Sequence, residues 1–291
     1  MIIKLKLEKS DNIGLLISNL SENVNKLLLS KKKETNRVDL SGINWICPLS
    51  ILPIAVLLSD LQDKGYNFNI IPPINQNIRF YLKAINFFKG IGTFATLQSK
   101  SYIPIVFMST RPEKIQNREQ IENSLKNMLL TKMNSKSTLS NALGYSLSEM
   151  FDNIWEHARS KYGWFLAQYY KNKEYADICV IDNGISIKGS YAQKRNLKSD
   201  TSAIKLALSG VSTKRDDRGI GLPSTKNLIV NSSLRGKFIL LSGQGGYYAS
   251  KKKELLFNLN CHWKGTIIFF RLYKTKKRVD WSPYVDYRYK L

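Results

Sequence analysis

Cysteine, histidine, acidic residues and long apolar runs are all scarce in this chain, and each scarcity removes a class of protein. Only 3 cysteines occur in 291 residues, and Cys47, Cys179 and Cys261 lie far apart among apolar neighbours. They give neither a disulfide framework nor metal-ligand spacing, and read as reduced, buried thiols. The longest apolar run, Ile46 to Leu58, falls short of the roughly 20 residues a membrane helix needs and contains Pro48 and Pro53. It reads as a buried element. The opening MIIKLKLEKSDN interleaves basic with apolar residues, so no secretory signal is visible and a cytoplasmic protein is expected. There is no internal repeat, coiled coil or low-complexity tract.

Positive charge is what the chain has in excess. Lys and Arg number 45 against 22 Asp and Glu, a formal charge of +23, which attracts nucleic acid, acidic membranes or acidic proteins. The basic clusters, Lys31 to Lys33, Lys251 to Lys253 and Lys274 to Arg278, are short and separated, and no nucleic-acid module is recognisable. Abundant Asn, Ile and Lys is also what biased coding composition produces. Nucleic acid is therefore not the favoured partner. Length and a hydrophobic content of 43% point to two domains.

Along the first hundred residues, alternation in IIKLKL predicts a strand, Asp11 to Leu29 an amphipathic helix capped near Ser10 or Asp11, and Arg37 to Gly42 a strand and turn. An apolar helix near Leu49 to Lys64, stopped by Gly65, and a strand from Tyr66 to Ile71 complete a βαβ unit. Ile103 to Met108 is a short apolar strand, and Arg118 to Lys132 has helical periodicity.

The stretch LSEMFDNIWEHA, Leu147 to Ala158, carries two stripes. Leu147, Met150, Phe151, Ile154 and Ala158 make a buried face, while Glu149 and Asn153, four apart, stack on another. A carboxylate that can take a proton from water, beside an amide oxygen hard enough for Mg²⁺, suits nucleotide triphosphate chemistry. Downstream, Asp182-Asn183-Gly184 ends an apolar strand, Arg218-Gly219-Ile220-Gly221-Leu222-Pro223 opens a helix, and Gly265-Thr266 begins a last apolar strand. The glycine pair lacks the strand that must precede a dinucleotide fingerprint, so a Rossmann site is not expected. A run of glycines at 243 to 246 reads as a hairpin turn.

These four blocks, in this order, resemble the Bergerat-fold ATP-binding domain of the gyrase, heat-shock chaperone, histidine kinase and MutL superfamily, most closely the anti-sigma serine kinase branch. The segment VDLSGINWICPLSILPIAVLLSDLQDKGYNFNIIPP resembles the core of a STAS domain. Together they imply an α/β chain: a STAS-like regulatory domain over 1–100, a connector strand and helix over 101–133, a two-layer α/β sandwich ATPase domain over 134–278, and a tail over 279–291.

The resemblance implies site residues. Glu149 would be the catalytic base and Asn153 the Mg²⁺ ligand. Asp182 would accept the adenine amine, with Gly184 approaching the base and Thr266 supporting the aspartate. Lys214, Arg218, Gly219, Gly221 and Leu222 would form the phosphate side, and Ile185 to Asp217 the lid. Two departures stand out: Ser186 occupies the second glycine position of DxGxG, and Cys47-Pro48-Leu49-Ser50 replaces the Asp-Ser-(Ser/Thr)-Gly turn of phosphorylatable STAS proteins. Ser50 there reads as a helix N-cap. His157 and His262 leave no phosphoacceptor on a separate dimerisation helix, so a typical sensor histidine kinase is not expected. The implied function is a regulatory protein with ATP and Mg²⁺ as cofactors, a protein partner through the STAS-like domain and room for a homodimer, either hydrolysing ATP or phosphorylating a partner. The alternatives are a nucleotide-binding scaffold without turnover and a nucleic-acid-associated ATPase.

Overall fold

The computed structural model describes residues 1–8, 10–88, 101–109, 116–133, 137–157, 160, 162–192, 194–211, 221–232 and 235–275. The chain is mixed α/β, with one parallel and one antiparallel sheet. The parallel sheet comes first. Strands β1 (Ile2–Lys4), β2 (Thr35–Asp39) and β3 (Asn67–Ile71) pair in sequential order, joined by helices α1 (Ile13–Leu28) and α2 (Pro48–Asp63). A short helix α3 (Gln76–Ala84) follows. Asn12, rather than Ser10 or Asp11, caps α1, its side chain accepting from Gly14 N at 2.9 Å and Leu15 N at 3.4 Å.

The antiparallel sheet has five strands in the order β4 (Tyr102–Ser109), β5 (Tyr162–Tyr170), β6 (Tyr175–Asp182), β8 (Lys253–Tyr273), β7 (Lys237–Ser250). Helices α4 (Gln116–Lys132), α5 (Ser137–His157), α6 (Ile187–Tyr191), α7 (Asp200–Leu208) and α8 (Gly221–Asn231) complete this part. The stretch 101–133, expected to connect, supplies the edge strand β4 paired to β5 and the helix α4 packed on α5.

Side-chain alternation explains why the strands of this sheet read as continuous apolar runs: both faces are covered. Phe165, Ala167, Ile178, Val180, Ile268 and Phe270 pack into a core with Leu125, Leu147, Met150 and Leu228 of the helices that follow β4. Their neighbours Trp164, Leu166, Cys179, Ile181, Ile267 and Phe269 face the other way, into a core shared with Leu16, Leu20, Ile51 and Leu52 of α1 and α2. The N-terminal helices thus lie on the second face of the five-stranded sheet, α2 against β5 and β6 and α1 against β8. This accounts for the apolar run Ile46 to Leu58. α2 is buried around its circumference because it is packed both within its own unit and on the neighbouring sheet. No helix among the described residues is long and apolar enough to cross a membrane.

Charge also joins the two parts. Arg271 on β8 and Asp177 on β6, 1% and 0% exposed, form a two-pronged ion pair at 2.6 and 2.9 Å. The guanidinium lies 3.9 Å from the Tyr175 ring centroid. Burial raises the Asp177 carboxyl above its ordinary range, and Arg271 opposes that shift. Asp11, just before α1, accepts from Lys173 Nζ at 2.6 Å and Tyr175 Oη at 3.2 Å, and lies 3.5 Å from Arg271 Nη1. Lys173 holds the Asp11 carboxyl below its usual range.

Two expectations about loops change. Ser50 is the third residue of α2 rather than its cap: its hydroxyl accepts from Cys47 N and donates to Cys47 O, both at 2.9 Å, and the side chain is 4% exposed. This hydroxyl is therefore sealed from a phosphoryl donor. The glycines at 243 to 246 are not a hairpin turn either. They lie inside β7, and the chain reverses at Lys251 and Lys252. A Cβ on Gly243, where φ is +60°, would fall 2.3 Å from Asp200 Oδ1, and one on Gly246 would fall 2.2 Å from the Phe257 ring. The glycines admit α7 and a cross-strand ring, and register shifts there bend the hairpin.

Candidate functional site

Helix α5 forms because Leu147, Met150, Phe151 and Ile154 give it a buried stripe against the sheet. Glu149 and Asn153 flank that stripe and are half-buried, stacked one turn apart. Glu149 meets the first residue of α8: a Cβ on Gly221 would sit 2.0 Å from its Oε2 and 2.9 Å from its Cβ. Glycine at 221 is thus what allows α8 to start against the Glu149 carboxylate. A negative group at that place also complements the helix dipole. Pro223 falls in the first turn of α8, where its missing N–H costs nothing, and Leu222 packs on the adjoining core. Thr225, a further turn along, is fully buried, and its hydroxyl has no hydrogen-bond partner among the described residues.

Past its end, α5 returns to the sheet. Ser160 Oγ donates to Asn183 Oδ1 at 2.6 Å, tying the segment after α5 to the end of β6. The residue before Asn183 is Asp182, 4% exposed and directly opposite Thr266 in the β6–β8 register. Burial lifts its carboxyl to about 6, while bonds from Gly184 and Thr266 pull the other way. Gly184 N donates to Oδ1 at 2.8 Å, and Thr266 contributes both its hydroxyl and its backbone amide. A carboxylate offers about four lone-pair sites. Gly184 N takes one of them. Gly265 makes the approach feasible, for at its φ of +101° a Cβ would lie 2.2 Å from Asp182 O.

Ser242 and Trp263 belong to this site although their sequence context hid them. Ser242 Oγ donates to Gly265 O at 2.8 Å, accepts from Ile187 N at 2.9 Å and lies 3.3 Å from Thr266 Oγ1. Trp263 Nε1 donates to Asp182 O at 3.4 Å while its ring lies in the core shared with α1 and α2. The signal for Ser242 was its place in an apolar run just before glycine, which was read as a turn.

Ser186 has a φ of +42°, a region that glycine occupies without steric cost. Its hydroxyl caps α6 by accepting from Gly189 N at 3.2 Å. The middle of the segment read as a lid is docked: Ala203 and Ile204 of α7 are fully buried, and Asp200 Oδ2 accepts from Gln244 N at 3.0 Å. Lys214, Arg218 and Gly219, together with the rest of 212–220, lie outside the described residues.

The structure therefore brings Glu149 to Gly221, and Asp182 to Gly184 and Thr266, and links the two groups through Ser160 and Asn183. No protein-family model matches the chain, nor does any curated protein.

Proposed function

We propose that the chain is an Mg-ATP-binding regulatory protein, with a Bergerat-type ATP-binding part formed by β4 to β8 and α4 to α8 and a STAS-like part formed by β1 to β3 and α1 to α3. The observation that carries this is Asp182: a buried carboxylate at a strand end, accepting from Gly184 N and standing opposite Thr266. An exocyclic adenine amine is a donor of the right kind, and Gly184 beside it would let a flat base approach the backbone.

On this reading Asn153 would hold Mg²⁺ through its amide oxygen, beside phosphate oxygens and water. The backbone amides that open α8 would receive phosphate charge. Bound nucleotide and metal supply the phosphoryl group and neutralise its charge. Glu149 would take the proton from water or from a partner's serine hydroxyl as either attacks. The STAS-like part has its helical face covered by the five-stranded sheet, which supports regulation within the chain by that part.

A second reading, a nucleotide-responsive scaffold without turnover, is favoured by one contact. The Glu149 carboxylate lies against Gly221, so it has a structural task at the α5–α8 contact as well as a chemical one.

Calorimetric titration with ATP and Mg²⁺ tests both. Binding that weakens by about tenfold or more in Asp182→Asn supports the site, and no heat with any adenine nucleotide removes it. Phosphate release, or transfer of label to a protein, that is lost in Glu149→Ala supports turnover. Binding with neither leaves the scaffold.

A further inference from the structure

Away from these residues, a cavity of about 500 Å³ opens between the first half of α1 and the bent β7–β8 hairpin. Lys237 and Tyr248 both line it, although a straight strand would place them roughly 36 Å apart. The bend at Ser242 to Gly245 makes the enclosure. None of Glu149, Asn153, Asp182, Gly221 and Thr266 lies on its wall.

The helix side of the cavity is cut back. Gly14, Ser18 and Ser21 recur at helical spacing along the wall. Gly14 is not among the glycines with positive φ, so its backbone does not require glycine, and within a helix glycine is unfavourable. A Cβ there would meet only Asn12 Oδ1, at 3.3 Å. What this glycine provides is room. The opposite wall is mixed, with Tyr248, Phe257, Leu259 and a Leu255 that remains 43% exposed beside Asn258 and Asn260.

Charge decides the kind of ligand. Asp11 is the one acidic residue on the wall, and it already serves Lys173, Tyr175 and Arg271. Glu254, next to the cavity in sequence, is paired with Lys226 at 3.3 Å. Lys237 and Lys253, both on the wall, have no ion-pair partner among the described residues. The cavity thus has a partly apolar lining and two cations, Lys237 within the field of the Asp177 carboxylate and Lys253 exposed, at the junction of two structural parts, where ligand sites are common. We propose that it binds a small organic anion with an apolar body, separately from the nucleotide site.

Octanoate, followed by calorimetry and by displacement of the fluorescent anion anilinonaphthalene sulfonate, tests this on the full chain. The expected result is one octanoate per chain, with affinity reduced about tenfold in Lys237→Gln/Lys253→Gln. Neutral octanol should compete far more weakly than octanoate. Gly14→Leu should abolish probe binding while keeping the melting temperature of the parent. Retained binding in Gly14→Leu, equal competition by octanol, an unaffected double lysine variant, or displacement of the probe by ATP would each overturn the assignment.

Discussion

Asn183 donates its side-chain amide to Asp60 of α2 at 3.1 Å while accepting from Ser160 at 2.6 Å. One amide therefore joins helix α2 of the N-terminal part, the segment after α5 and the end of the strand that carries Asp182. Removing the acceptor in Asp60→Ala should lower stability by about 0.5–1.5 kcal/mol. It should also weaken ATP binding, by no more than about tenfold. Asp60→Asn, which keeps an acceptor oxygen for Asn183 but loses the ion pair with Lys64, should restore the binding and part of the stability. Denaturant unfolding and calorimetry on the three proteins check this.

The Arg271–Asp177 pair should be far more costly to break than to replace. Arg271→Met leaves a buried carboxylate without its counterion, with an expected loss of about 3–5 kcal/mol. In Arg271→Met/Asp177→Leu no charge is stranded, and much of that loss should return, although Asp11 keeps only Lys173 and Tyr175 as partners. A urea denaturation cycle over the four proteins measures the coupling. Equal stability of the single and double variants would contradict it.

Asp182 makes opposite predictions for stability and for binding. Folding raises its carboxyl to about 6 through burial. The stabilisation associated with the protonated form is complete below the unfolded range near 3.9 and is lost as pH rises through about 6. Asp182→Asn, which never ionises, should therefore exceed the parent at pH 8 by on the order of 2–3 kcal/mol, and the gap should close toward pH 3. If Asp182 receives the adenine amine as proposed, its ionised form is the acceptor, so ATP affinity of the parent should rise across the same interval. Unfolding and titration series from pH 4 to 8, as experimental settings of about that span, check both signs.

Gly221→Ala should force α8 away from α5, since its new methyl would collide with Glu149 at both the carboxylate and Cβ. The expected cost is about 1–3 kcal/mol. Adding Glu149→Ala removes the carboxylate but not the Cβ, so the double variant should recover only part. Full additivity of the two losses would show that the residues do not share a contact.

The sequence made some of this plain and concealed the rest for physical reasons. Helix α5 was legible because its buried stripe and its polar flank both repeat at helical spacing, and β6 because burial on two faces leaves an unbroken apolar run. Asp182 and Thr266, far apart in sequence, stand opposite each other in the β6–β8 register. The glycines at 243 to 246 misled, because what fills their missing side-chain space, Asp200 and Phe257, arrives from other elements. Asp11 looked like a helix cap, yet its partners Lys173, Tyr175 and Arg271 are remote in sequence. Local chemistry permits several partners, and tertiary packing selects among them.

Because α2 is the filling between two sheets, no plane divides the described residues cleanly. A fragment lacking the first hundred residues would bare Trp164, Leu166, Ile181 and Phe269 to water, and should be sticky and short-lived. Heat should melt both halves together, in one cooperative step.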